Sequence, residues 1–470
     1  STTDDGTLTI TVTNTAPVAQ NDTGVVNEDA TLTVADGSNS TTVAAATVDG
    51  SPLNVSSQLP NLRGITFNND GTKMFLTGQS SDSVSEYHLT TAFDVSTASF
   101  DSSFSVSSEE TAPMSVKFNN DGTKMFLIDA HTVTGGKRII EFNLSTPYDV
   151  STETFANERC VLDNVSGGHQ VYDLELNSDG TMLFVATRQH NVDDADGDRV
   201  YRYDLSTPYD ISTCSTLASR TTDLDQVAFT NGSKAGDFDD VGMNRRRHRL
   251  QAIEINNDGS KLFLTFYEET STSGTRKAKL YEYTLSTPYD LSTLSLVKSA
   301  GIGFSDSSTN GVDNPSGMRF SPGGKRIFIT SHGGTSRLRG VTQISLTRAF
   351  DTSSFTIDGT FVIDTGSNPN QQPRGISFSS NGLKMYISQD RDQKGPGAEL
   401  HDRVFEYDLA CPFNIIAGQC PEIAKGDRIA LAEAKIELAK RTMDYSTKSV
   451  LNRLKSVSYT HLTLPTKRIV

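Results

Sequence analysis

With 470 residues, 35% of them hydrophobic, and a formal net charge of −15, the chain is long enough to bury a large core and carries an acidic surface. That balance argues against a nucleic-acid partner, which a basic stripe would serve. No apolar run reaches the length of a membrane-spanning helix. Trp is absent, which removes one common sugar-stacking residue, although Tyr and Phe remain.

Ser1 stands where an initiator Met would, so the chain reads as a fragment or processed product, and a missing signal peptide says nothing about compartment. Residues 6–14, GTLTITVTN, alternate like the last strand of a β-sandwich, which makes 1–19 the remnant of a preceding repeat and 20–40 a junction. Residues 15–34, TAPVAQNDTGVVNEDATLTV, resemble the junctions between VCBS or cadherin-like repeats of bacterial surface adhesins. That resemblance implies calcium ligation, with Asp22, Glu28 and Asp29 as candidates.

From residue 41 the chain repeats itself. FNNDGTKMFL at Phe67–Leu76 returns at Phe118, as LNSDGTMLFV at Leu176 and as INNDGSKLFL at Ile255; looser copies follow at Phe320 and Phe378. Each puts Asp-Gly, Gly-Gly or Asn-Gly between apolar alternations, the pattern of a tight hairpin. A third strand follows (SEYHL, IEFNL, YRYDL, YEYTL, FEYDL), then a corner such as STPYD, in which Pro presets φ and Asp bonds back to the chain. A fourth strand leads into the next copy. Four antiparallel strands repeated radially make a β-propeller blade. The predicted fold is all-β, a six-bladed propeller over 41–420. The pattern DGTKMF…EYxLSTPYDVST resembles uncharacterised propeller repeats of marine bacterial and phage-associated proteins, a resemblance that implies the fold and no activity.

Residues 41–57 occupy the place of a fourth strand with no first three, while copy six lacks its fourth, so the N-terminal strand is expected to close the ring. The longer gap Ala218–Arg245, with GDFDDVG and then RRRHR, reads as an insertion loop. After Cys420 the spacing of Ile429, Ala432, Ile436, Ala439 and Met443 predicts an amphipathic helix over 421–456. That stretch resembles segments preceding the barrel of autotransporter-like proteins. Residues 457–470 are expected to be a non-native tail, since VSYTHLTLPT is what a transposase adapter used in sequencing libraries would encode.

Aligned on the hairpins, Arg63, Met114, Tyr172, Gln251, Ser316 and Arg374 enter the first strand of each blade; His169, His248, Asp313 and Gln371 stand three positions earlier. These positions should ring one mouth of the channel, giving Arg63, His169, Tyr172, His248, Gln251, Asp313, Gln371 and Arg374 as candidate ligand-binding residues. Two His with Asp313 would suit a metal or acid–base chemistry, and Arg63 with Arg374, neighbours across the seam, a carboxylate or sulfate. Asp194, Asp196 and Asp198 in DDADGD offer calcium, although Val192 at the first position rules out an EF-hand loop. Four cysteines allow three pairings: Cys411 with Cys420 would staple the seam, and Cys160 and Cys214 fall in outer strands of consecutive blades.

No nucleophile elbow or HExxH motif is present. The sequence therefore reads as a non-enzymatic propeller module of a secreted or cell-surface protein, binding glycan or protein; it names no cofactor, calcium being the one candidate. The alternatives are a secreted metal-assisted hydrolase or lyase with a channel-mouth site, and a phage tail-associated propeller.

Overall fold

A computed structural model describes residues 9–12, 22–25 and 46–417, apart from 108–112, 130–137, 155–158, 163–168, 190–197, 217–221, 224–247, 270–275, 303–311, 313, 333–338, 364–370 and 392–401. Six antiparallel sheets follow one another around a ring, each with its first strand innermost. Those inner strands are Leu62–Phe67, Pro113–Phe118, His169–Leu176, His248–Ile255, Pro315–Phe320 and Gln371–Phe378. The sixth blade ends on Arg403–Asp408, whose outer partners are Thr47–Val48 and Leu53–Asn54 from the start of the chain. Ring closure by an N-terminal strand is therefore observed. Among the described residues Thr9–Val12 and Asp22–Val25 pair with each other and not with a blade.

The fold class needs one correction. Among the described residues the only helices are three-residue 3-10 turns, so what is described is an all-β propeller and the helix is no part of it; the stretch 421–456, where that helix was expected, and the tail over 457–470 lie outside the described residues. Most of the insertion loop lies outside them too, but Thr222–Asp223 adds to the edge of the third blade.

The repeated motif works by locking three places together. Gly122 sits at φ +74°, and a Cβ there would come within 2.1 Å of the Tyr148 ring, so the hairpin glycine is the seat of the aromatic from the STPYD corner. Asp121 Oδ1 accepts from Thr123 Oγ1 at 2.6 Å and from Thr123 N at 2.9 Å, and these bonds hold its carboxyl below the usual range; it is a turn residue. The corner aspartates cap the 3-10 turns, as Asp149 does by accepting from Ser151 N at 3.0 Å. The two Phe of FNNDGTKMFL meet across blades: Phe75 lies 4.5 Å from Phe118 and Phe263 4.6 Å from Phe320, and at the seam Tyr386 lies 4.5 Å from Phe67. Each fully buried ring contributes about 1.5–3 kcal/mol, and the core lies mainly between blades.

A polar clasp repeats alongside. In the fourth blade Lys261 Nζ reaches Glu282 Oε1 at 2.5 Å, while Glu282 Oε2 accepts from Thr352 N of the fifth blade at 2.5 Å. Glu86 likewise takes Lys73 and Val150 N, Glu141 takes Lys124 and Ile211 N, and Glu406 takes Lys384 and, across the seam, Val95 N. The fifth blade substitutes Gln343, which accepts from Ile415 N at 2.8 Å. Cys160 and Cys214 form a disulfide between the second and third blades. Cys411 is disulfide-bonded as well; Cys420, its expected partner, lies outside the described residues.

Candidate active site at the channel mouth

All six inner strands slip register against their neighbours near one end, and the residue left over is the one facing the mouth: Met114, Tyr172, Gln251 and Ser316 are each skipped in the pairing, as are Arg63–Gly64 and Arg374–Gly375. A bulge leaves its extra residue unpaired and turns the strand. Here it brings the aligned row to one cavity of about 110 Å³, so Arg63, Tyr172, Gln251 and Arg374 are together in its wall. His169, His248 and Gln371 belong to inner strands, but their side chains, and Asp313 altogether, lie outside the described residues. Asp194 and Asp196 do too. Asp198 is buried and Oδ2 accepts from Leu250 N at 2.5 Å, a bond between the third and fourth blades; Asp402 serves Leu62 N in the same way across the seam at 3.0 Å. Asp198 is therefore engaged as a joint between the third and fourth blades.

Arg63 and Arg374 do lie side by side, with an unexpected third member. Asp390 Oδ2 receives Arg63 Nη1 at 3.0 Å and Arg374 Nη2 at 3.1 Å, while its Oδ1 is buried without a donor among the described residues. Gln79 takes Arg63 Nε at 3.0 Å, and Gln372 takes Arg374 Nη2. Burial and the neighbouring Arg374 pull Arg63 down to about 10.

Below this row is a layer that the sequence alignment did not single out. Asp173 also lines the cavity; Oδ1 accepts from Leu174 N at 2.9 Å and Oδ2 from Ile253 N of the next blade at 3.2 Å. Burial raises its pKa against the pull of Lys117 and Arg319. Deeper still, Arg319 Nη1 bonds Glu254 Oε1 at 2.7 Å and reaches Glu175 Oε1, two blades away, at 3.4 Å; Lys117 pairs with Glu175. Burial, with Glu175 adding to it, pushes Glu254 up to about 7. Lys117, Glu175, Glu254 and Arg319 each stand just before the first residue of a hairpin motif, and that shared position was the available signal.

Asp49, Glu406 and Asp408 are the one group of three carboxylates among the described residues whose oxygens all come within 4.8 Å, a donor set of the kind a hard divalent cation takes. The cation already among them is the Lys384 ammonium, 2.7 Å from Asp49 and 3.2 Å from Asp408 and paired with Glu406. Since Lys384 and Glu406 repeat the clasp of the first, second and fourth blades, the triad fits a structural role at the seam and does not fit a resident metal. No three ligand groups converge at the mouth among the described residues.

No family model matches the chain, and no curated protein matches it. Solved structures that resemble it include a luciferin-regenerating enzyme (11% identity, 77% of this chain and 96% of that one, TM-score 0.44). Regucalcin, a calcium-binding protein from Agrobacterium tumefaciens, gives 13% identity over 80% and 95% of the two chains, TM-score 0.42. The periplasmic gluconolactonase of Pseudomonas aeruginosa gives 10% over 76% and 88%, TM-score 0.43. At such identities the likeness is one of fold. The structures found are propellers and none is a VCBS or cadherin-like repeat, so neither the adhesin resemblance nor the non-enzymatic surface module built on it is carried forward; at these TM-scores the likeness says nothing of what this chain does. No helix among the described residues is long and apolar enough to cross a membrane.

Proposed function

We propose that the protein is a hydrolase of small esters or lactones, with its active site at the bulged mouth of the channel. The observation that carries this reading is Asp173, a carboxyl on the cavity wall whose pKa is raised by burial, with the Arg319 guanidinium beside it. A raised carboxyl accepts and returns protons nearer neutrality than an ordinary one. In the reaction, Asp173 takes a proton as a water oxygen bonds to the acyl carbon. Arg319 faces the resulting oxyanion. Collapse breaks the acyl C–O bond, and the proton passes from Asp173 to the departing alkoxide, giving an acid and an alcohol. Among the described residues the one converging carboxylate set is held by Lys384 at the seam, away from this mouth. The disulfides support folding in an oxidising compartment, consistent with a secreted enzyme.

The test is a panel of small esters and lactones assayed by proton release, with wild type and Asp173→Asn. General acid–base catalysis contributes roughly 10²–10⁴-fold, so Asp173→Asn should lose that much kcat while melting near wild type. Equal rates in the two proteins, or no turnover of any panel member, would overturn the assignment.

A further inference from the structure

Resting on that reading, we infer that the substrate carries an oxyanion, a carboxylate or a phosphate, seated on the Arg63–Asp390–Arg374 group opposite Asp173. Two guanidinium groups from the first and last blades converge on a single oxygen of one carboxylate, so the group holds a net positive charge of one. Both arginines are in the cavity wall, and Gln79 and Gln372 brace them, which fixes the planes of the forks before a ligand arrives. Asp390 keeps the two cations together, and its Oδ1, without a donor among the described residues, leaves this corner polar on a second side. Burial first, and the charge of Arg374 second, lower the pKa of Arg63.

Size and position narrow the class. A volume of about 110 Å³ is that of roughly four waters, enough for an oxyanion and the atoms joining it to an acyl carbon. The arginines come from blades one and six and Asp173 from blade three, half a ring from blade six, while Arg319 comes from blade five beside Arg374. An anion held by the arginine pair therefore presents its neighbouring carbonyl toward Asp173 across the channel, with Arg319 at its side. Charge is graded to match: net positive at the rim, with three carboxyls against two cations below. The substrate class is an ester or lactone bearing an acid group a few bonds from the scissile carbonyl.

Calorimetric titration at low ionic strength tests this with acetate, sulfate and inorganic phosphate, against wild type, Arg374→Gln, Arg374→Lys and Asp173→Asn. Saturable binding is expected in wild type and Asp173→Asn, weakened about ten- to a hundredfold in Arg374→Gln. Arg374→Lys, which keeps the charge without the fork, should recover part of it and serves if the Gln variant does not fold. Preference for acetate marks a carboxylate substrate, and preference for phosphate or sulfate a tetrahedral one. Absence of saturable binding in wild type, or equal affinity in the Arg374 variants, overturns the inference. If anions bind and no ester is turned over, the hydrolase reading falls and takes the ester class with it, while the anion seat on Arg63 and Arg374 stands. If neutral esters react as well as anionic ones, the reverse holds.

Discussion

Replacing Glu282 tests what joins the blades. Its carboxylate is fully buried and serves three groups at once: Lys261 Nζ at 2.5 Å, Thr352 N at 2.5 Å and Thr352 Oγ1 at 2.7 Å. Removing one partner of a buried pair costs about 3–5 kcal/mol because the other charge is left uncompensated. Here Lys261 is 22% exposed and still donates to Phe350 O at 2.6 Å, which puts its share at or below the low end, about 2–3 kcal/mol. The Thr352 amide, in a residue with no exposure, loses its acceptor, adding about 1 kcal/mol. Glu282→Ala should therefore lose about 3–4 kcal/mol, a large part of the 5–15 kcal/mol typical of a folded protein. Glu282→Gln keeps an acceptor for Thr352 N, as Gln343 does for Ile415 N in the fifth blade, and should lose about 1–2 kcal/mol. Denaturant unfolding of wild type and both variants measures this. A loss below about 1 kcal/mol for Glu282→Ala, or equal losses for the two, would refute a clasp made of charge plus an interblade hydrogen bond.

Two further outcomes follow from the same electrostatics. Glu254 and Glu406 both have folded pKa values raised to about 7 by burial, so the folded state holds their protons more tightly than the unfolded state; their contribution is full below the unfolded value and is lost as pH rises toward 7. Melting temperature should fall between about pH 4.5 and 7, and Glu254→Gln should flatten that slope; an unchanged slope would exclude Glu254 as a source. Asp49 works in the opposite sense, since Lys384 lowers its pKa, and its contribution is lost only in stronger acid. Lys384→Met should leave Asp49, Glu406 and Asp408 facing one another, lower the melting temperature, and create a dependence on millimolar calcium that wild type lacks. A calcium-dependent melt in wild type would instead show that a divalent cation displaces the ammonium.

The blade was readable because its devices are local. Asp-Gly between alternating apolar residues specifies a hairpin within ten residues, and the STPYD corner is spelled out as plainly, although nothing in the sequence says that the Tyr148 ring would lie on Gly122. Ring closure was readable for a different reason: a fourth strand without its blade and a blade without its fourth strand have only each other. The clasp was not legible, because Lys261, Glu282 and Thr352 belong to two blades and three strands, and period-two alternation puts charged residues at those positions whether or not they face solvent. Arg63 and Arg374 could be paired from the seam alone, but Asp390, two strands away from one and a neighbour of the other, could not.

The site was half legible, and the bulge explains which half. A regular inner strand turns every second side chain to the channel, so counting by twos back from the hairpin reaches one face only. Skipping a residue at Tyr172, Gln251 and their equivalents resets that count, so Tyr172 and Asp173, adjacent in sequence, both reach the cavity wall. A row chosen by alignment therefore captured the rim, Arg63 through Arg374, and passed over the acid beneath it. The bulge also divides the labour of the mouth. Its unpaired residue differs freely among blades, from Met114 to Arg374, because no ladder hydrogen bond constrains it. The next residue is Gly, Ser or Ala in five blades, where the backbone of the adjoining blade runs close; a Cβ on Gly64 would come within 3.2 Å of Met114 O. Asp173 is the exception, and it is tolerated because its carboxylate accepts the Ile253 amide of that same adjoining blade. An acid placed where the repeat otherwise keeps small residues, and held there by two backbone amides, is the departure from repetition that a binding or catalytic role would require.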